Sequence, residues 1–485
     1  MTLDARTRWL ALYVLCLGSL MIVLDVTIVN VALPSIKSDL GFSETSISWV
    51  VNAYLLTYGG FLLLGGRLGD LFGHRRLFMA GITLFTAASL VCGLSTTQGM
   101  LVGARAVQGL GGAVASAVSL SLMMTLFTEA GERAKAMGIF GFVASGGGSI
   151  GVLLGGILTD RLDWHWIFLV NVPIGALVVF LTVRLLPGGY EAPARGRLDV
   201  AGALAVTASL MVTVYAIVNG QNAGWTSLQT IGLLVLGAAL FAVFLAIESR
   251  VRAPLVPLRL FRKRNLATAN GVAVLWAGAM FAWFFLVALY LRYVLHYTPL
   301  EIGLSFLPAN IIMGALSIGV SAKLVMRYGI RKPLAVGLIF AGVGLALFVR
   351  APVNGSFAID VLPSMILLGI GAGIAFNPVL LAAMSDVAPE ESGLASGLVN
   401  TSFMMGGALG LAILASLAAS RTATLEAAGE GKLAALAGGY HAAFLGGAIF
   451  AAAAVVLGVA LLRTRVPAGA GAAAAHGELA TADVD

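Results

Sequence analysis

The chain has 485 residues, 59% of them apolar and only 11% charged, with a mean hydropathy of +0.99. That composition excludes a soluble domain and the length excludes a single span, so the sequence reads as a polytopic membrane protein. The net charge of +7 would suit a nucleic-acid partner only if the basic residues did not sort relative to a membrane, and they do.

Apolar runs between polar or Pro/Gly-marked breaks predict fourteen spans, near 10–33, 46–66, 77–95, 99–127, 136–158, 166–186, 198–219, 228–247, 266–290, 302–322, 333–350, 361–384, 393–418 and 440–462. The first run is too long for a cleaved leader and is expected to be a retained helix. An even number of spans puts both termini on one side. With the amino terminus inside, 22 of the 29 Lys/Arg fall on inside segments, six on outside loops, and Arg105 alone falls in a span. This positive-inside asymmetry predicts cytoplasmic termini in the inner membrane and makes a nucleic-acid partner unnecessary. The run Arg259 to Arg264 (RLFRKR) reads as a topology determinant, with an anionic-lipid site as its alternative. After Arg465 an Ala/Gly-rich tail predicts disorder. Cys16 and Cys92 both sit in apolar runs, which argues against a disulfide framework or a thiolate metal site.

The first span holds the sequence's most costly residue. Asp25 stands in LDVTIVNVALP, nine residues before Pro34 and so about 13 Å from that end of the helix. An ionised carboxylate at such a depth costs about 2.5–3.5 kcal/mol, and an intramembrane acid is by default an ion or proton site rather than a packing contact. Arg105 lies about 9 Å into the fourth span, at a comparable depth, with Gln108 three residues on and therefore on the same helix face. Either charge alone is expensive in lipid, so an Asp25–Arg105 contact is expected, direct or through Gln108 or water.

The chain also repeats itself. Gly147 to Gly151 (GGSIG) and Glu132 match Gly406 to Gly410 (GGALG) and Glu391 at an offset of 259 residues. Gly73-His74-Arg75-Arg76 matches Gly329-Ile330-Arg331-Lys332 at 256, and LGFSE at Leu40 matches LHYTP at Leu295 at 255. One nearly constant offset predicts two homologous six-helix halves, 1–186 and 265–463, with an inserted pair of helices and linkers at 187–264 and the tail at 464–485. Parallel halves of this kind rock about a binding site at mid-depth.

Several motifs carry a family resemblance. GRLGDLFGHRR, Gly66 to Arg76, with Gly66, Asp70, Gly73, Arg75 and Arg76, resembles the signature loop of the major facilitator superfamily. LVGARAVQGLGGA matches that family's second motif at every fixed position, through Arg105 and Gln108. Gly138, Gly147, Gly151, Gly155 and Gly156 resemble its antiporter motif, except that Val152 replaces a proline and removes the expected kink. LDVTIVNVALP, WHWIFLVNVPIG (with His165 in a usual arginine place) and the turn from Tyr290 to Pro308 are similar to markers of the fourteen-helix drug/proton antiporter subfamily. LVNTSFMMGGALG resembles its thirteenth helix, with Phe403 and Met404 where relatives carry Arg-Gln. Gly146 to Gly151 also spells GxGxxG, but inside a spanning helix this is no dinucleotide site.

The resemblance implies an all-α major facilitator fold and proton-coupled export of small lipophilic organic compounds by alternating access; a proton-coupled importer or facilitator of a metabolite shares the architecture. It implies that Asp25, Arg105 and Gln108 couple protons, and that Asp70 latches the inner face against the start of the thirteenth helix. The second copy has Met326 in Asp70's place, so the latch is expected on one side only. Candidate substrate-lining residues are Asn30, Asn52, Tyr54, Tyr58, Trp276, Trp283, Phe284, Asn310, Asn377, Asn400, Phe403 and Met404. Asp25 is the one acid placed within a span, so neutral, monocationic or weakly anionic substrates are expected rather than dications. With no P-loop and dispersed histidines, no enzymatic activity, cofactor or metal is expected. The expected partners are protons, a small molecule and the bilayer, and the expected state is a monomer.

Overall fold

The computed structural model describes residues 4–127, 129–186, 199–251, 254–387 and 391–463. The expected tail at 464–485 and the whole 187–198 linker lie outside them, as do the side chain of Asp70 and the surroundings of Gly138. Among the described residues the secondary structure is helical, and thirteen segments are long and apolar enough to cross a membrane. A further 32-residue helix covers the predicted fifth span.

In the first half the helices are α1 (Ala5–Leu40), α2 (Trp49–Phe72), α3 (His74–Gly93), α4 (Gln98–Leu126), α5 (Ala130–Arg161) and α6 (Trp166–Leu185). The inserted pair is α7 (Val200–Ala223) and α8 (Leu228–Arg250). The second half comprises α9 (Arg264–Tyr293), α10 (Pro299–Gly319), α11 (Arg331–Phe348), α12 (Leu362–Met384), α13 (Ser392–Ala427) and α14 (Lys432–Leu461). A short amphipathic helix, Ser321–Tyr328, follows α10. Local chemistry fixes many of the starts. Thr97, Asp199 and Ser227 cap α4, α7 and α8 through their side chains, and Thr298 with Glu301 forms a capping box behind Pro299 at the start of α10.

Pro34 does not end the first helix as the predicted boundary at 33 required; α1 continues through it to Leu40. Proline removes one backbone hydrogen bond, and packing within a membrane bundle lets neighbouring groups compensate. The real stop is Gly41 at φ +68°, where Phe42 N donates back to Lys37 O at 3.1 Å.

The internal repeat is visible in the backbone. His296, the counterpart of Gly41, also has a left-handed φ of +60°, three residues after α9 ends at Tyr293, and Tyr297 N donates back to Leu291 O at 2.9 Å. Gly73 and Gly329, 256 residues apart, have φ of +91° and +73°. Packing repeats too. α1 packs on α5 as α9 packs on α13, α2 on α4 as α10 on α12, and α3 on α4 as α11 on α12. The halves meet through α2 against α13 and α5 against α10, which are again counterparts of each other.

Glycine makes these seams possible. A methyl group at Gly155 would press on Ile28 of α1, and one at Gly406 on Val274 of α9 at 2.5 Å. Between the halves, Gly156 faces the Pro299 carbonyl and Gly303. The inserted pair is peripheral: α7 packs on α2 and α13, while α8 packs on α7 and is otherwise largely exposed, as a lipid-facing helix should be. By contrast α9 is buried along most of its length at the centre of the second half.

Candidate functional site

The centre of the first half is a closed polar network inside apolar walls. Asp25 is fully buried on α1, and Arg105 and Gln108 of α4 are 1% and 0% exposed. Arg105 Nη1 forms an ion pair with Asp25 Oδ2. Gln108 Nε2 donates to Asp25 Oδ1 at 2.7 Å, while its Oε1 accepts from Arg105 Nη1 at 2.6 Å. The contact expected from matched depth is therefore direct, and Gln108 buttresses it.

Two residues that sequence reasoning did not single out complete the network. Asn171, at the start of the longer part of α6, donates to Asp25 Oδ1 at 3.2 Å. Ser89 of α3 receives Gln108 Nε2 at 2.7 Å. Asn171 stood within WHWIFLVNVPIG as an uncharged polar residue in an apolar run, and Ser89 was one more small residue in a span. Cys92, one turn from Ser89, points its thiol at Gln108 Oε1 at 3.7 Å. The network thus gathers α1, α3, α4 and α6 around one carboxylate.

Arg105 also reaches α2. Its Nε donates to the Val50 carbonyl at 2.9 Å, and its guanidinium lies 4.4 Å from the Tyr54 ring centre and 5.6 Å from that of Phe168. A backbone carbonyl and two aromatic faces replace the water that the planar cation has lost. Every contact to Asp25 comes from a donor. A proton on Asp25 would turn one acceptor oxygen into a donor, cancel the ion pair, and leave Arg105 held by Gln108, Phe168 and the α2 groups.

The predicted lining residues fall into separate groups. Trp276, Asn400 and Phe403 share a small cavity between α9, α12 and α13, together with Phe376, Val379, Leu380 and Val399. Trp283 and Phe284 pack with Phe306 of α10, at ring-centre distances of 5.8 and 5.3 Å. Tyr54 stacks on Tyr58 at 5.7 Å, and Met404 lies against Gly59 where α13 meets α2. Asn52 and Asn310 are buried, with the Asn52 amide and Asn310 Nδ2 lacking a protein partner. The indole N–H groups of Trp276 and Trp283 are likewise unpaired. Asn30 and Asn377 are turned away, donating to the Val26 carbonyl at 3.1 Å and the Ser317 carbonyl at 2.7 Å. Phe306 and Phe376 were not foreseen, since an aromatic in an apolar span has no distinguishing mark.

In the signature loop Gly73 supplies the left-handed turn between α2 and α3, and Gly66 has open space around it. Arg75 Nη2 donates to the Val183 carbonyl near the end of α6 at 3.1 Å, and Arg76 is exposed. The expected contact of Asp70 lies outside the described side chains. Met326, in the corresponding place of the second copy, is 75% exposed. Of the glycine ladder, Gly147, Gly151 and Gly155 face α1, and Gly156 faces α10.

The family model described as Major Facilitator Superfamily matches residues 15–411, a stretch that contains both the network and the repeat. The chain belongs to the major facilitator superfamily. This member is 40% identical over 418 residues to the puromycin resistance protein of Streptomyces alboniger, covering 86% of this chain and 83% of the relative. It is 37% identical over 471 residues to the cephamycin export protein of Amycolatopsis lactamdurans, covering 96% and 94%. Its fold is similar to a bacterial homologue of the human lysosomal transporter Spinster in an inward-facing, unoccupied conformation, with a TM-score of 0.65 at 16% identity over 94% and 97% of the two chains. The superfamily chain is thus a multi-pass membrane protein built from two six-helix halves and two inserted helices.

Proposed function

We propose that this superfamily member exports small lipophilic organic compounds against a proton gradient, with Asp25 as the proton carrier. The observation that carries the reading is the buried network in which Arg105, Gln108 and Asn171 all donate to Asp25. In this reading a change in the wetness of the network, or a shift of Arg105 away from α1, loads or releases a proton.

The geometry supplies a route from that event to the bundle. Arg105 is shared between Asp25 and the α2 groups Val50 and Tyr54, and α2 packs on α13 of the other half. Protonation frees Arg105 from α1 and biases how α2 sits against α13, which is the kind of two-arrangement seam that alternating access needs. In this reading the halves 1–186 and 265–463 rock as units. The relatives named for puromycin resistance and cephamycin export support organic antibiotics as the substrate class. The aromatic groups around Trp276 and Trp283, with their unpaired indole donors, suit uncharged or weakly charged aromatic compounds. The distribution of basic residues supports an inner-membrane protein with cytoplasmic termini. In this proposal it acts as a monomer, driven by protons without a cofactor.

The test is a dye- and antibiotic-efflux panel in a pump-deficient host. The native chain should lower accumulation and raise resistance to some compounds, and Asp25→Asn should abolish both at equal expression. Undiminished efflux by Asp25→Asn would overturn the proton role, whereas accumulation raised by the native chain would favour an importer.

A further inference from the structure

The inserted helix pair carries a second buried acid pair. Asp199 is the N-cap of α7, and Glu248 lies two residues before the end of α8; they are 4% and 3% exposed. Each spends one carboxyl oxygen on the backbone. Asp199 Oδ1 accepts from Gly202 N at 2.7 Å, and Glu248 Oε2 accepts from Val256 N at 3.1 Å, holding the segment that follows α8. The remaining oxygens, Asp199 Oδ2 and Glu248 Oε1, are buried and receive no donor. They converge on one place: a methyl group built on Gly202 would lie 2.6 Å from Asp199 Oδ2 and 3.0 Å from Glu248 Oε1. Both free oxygens therefore lie beside Gly202, buried between α7 and α8. A hydrogen bond between two carboxyl groups requires a proton on one of them, and two ionised carboxylates in contact at a dry site repel strongly.

We propose that Asp199 and Glu248 form a proton-binding site, separate from Asp25, in which one proton is shared between Asp199 Oδ2 and Glu248 Oε1. A hard divalent cation needs about six oxygen ligands, and two free carboxyl oxygens do not supply them. Among the described residues no salt bridge joins either acid to a base. Arg250 on α8 is exposed, Glu391 before α13 pairs with Arg259, and Tyr215 of α7 lies beside Trp49. The shared proton therefore fastens α7 to α8. Through Val256 it also holds the following segment, whose Leu255 packs with Leu64 of α2 and Ala203 of α7. Losing the proton places two like charges in contact, opens the tie and uncovers Leu255, which is otherwise 5% exposed.

The test uses the full chain in lipid vesicles. Leu255→Cys is labelled with a maleimide across a pH series, alone and combined with Glu248→Gln; Cys16 and Cys92 are buried, so the native chain serves as the blank. The E248Q amide keeps an acceptor for Val256 N and turns an N–H toward Asp199, imitating the protonated pair. The ratio of labelling rates, E248 over E248Q, is expected to be near one at about pH 6 and to rise several-fold by about pH 9. A ratio constant across the series overturns the proposal. Independently of the cysteine variant, the native-minus-E248Q infrared difference spectrum should contain a protonated-carboxyl C=O band at neutral pH, and its absence overturns the proposal as well.

Discussion

Arg105 divides its donors between a carboxylate on α1 and a carbonyl on α2, and that division sets what a change at either residue does. Burying two charges costs about as much as their attraction returns, so the pair is poorly explained as a stabilising device. Removing one member is different, because it strands the other. Arg105→Gln is expected to destabilise the protein by about 3–5 kcal/mol, read as a fall in thermal unfolding temperature in detergent. Adding Asp25→Asn to it should restore most of that loss, a non-additivity that two independent sites would not produce. Asp25 and Arg105 were legible in the sequence because a charge in an apolar span stands out and matched depth implies a meeting. Asn171 and Ser89 were not, since a neutral polar residue in a span has many cheap uses. Asp199 and Glu248 escaped notice for another reason: at helix ends an acid is ordinary, and only the packing of α7 on α8 buries these two.

At the scale of the helix, close seams and left-handed stops make separable predictions. Gly410 lies directly on Gly278 where α13 crosses α9, whereas Gly103 on α4 faces open space. Gly410→Ala should therefore cost about 1–3 kcal/mol by forcing those helices apart. Gly103→Ala should leave the unfolding temperature unchanged or raise it, since alanine is the better helix former. His296 holds φ +60° where the first half uses Gly41, so His296→Gly should stabilise by about 1 kcal/mol in the same assay. The spans themselves were readable from hydropathy, because lipid demands long apolar runs. Pro34 was misread for the corresponding reason: in water it would end the helix, and inside a packed membrane bundle it does not. The offset between GGSIG and GGALG announced the repeat, but only the backbone shows that His296 shares the left-handed φ of Gly41.

On the scale of the whole molecule, the halves are joined at two kinds of place. At the end of the bundle where α1 and α9 finish, Tyr293 Oη donates to the Pro34 carbonyl at 3.1 Å, and the Lys37 ammonium lies 4.4 Å from the Tyr293 ring centre. Further along, Gly59 of α2, the same helix that holds Arg105 by Val50 and Tyr54, meets Thr401 and Met404 of α13. In the proposed mechanism a proton on Asp25 acts on the second contact, and alternating access requires the first to open in turn. The measurement that bears most directly on this coupling is substrate movement in vesicles containing only the purified protein, with a pH gradient as the sole driving force. The native chain should accumulate substrate on the proton-rich side beyond equilibrium and lose that ability when the gradient is dissipated, while Asp25→Asn should never pass equilibrium. Uphill accumulation by Asp25→Asn, or accumulation by the native chain that ignores the gradient, would contradict the account.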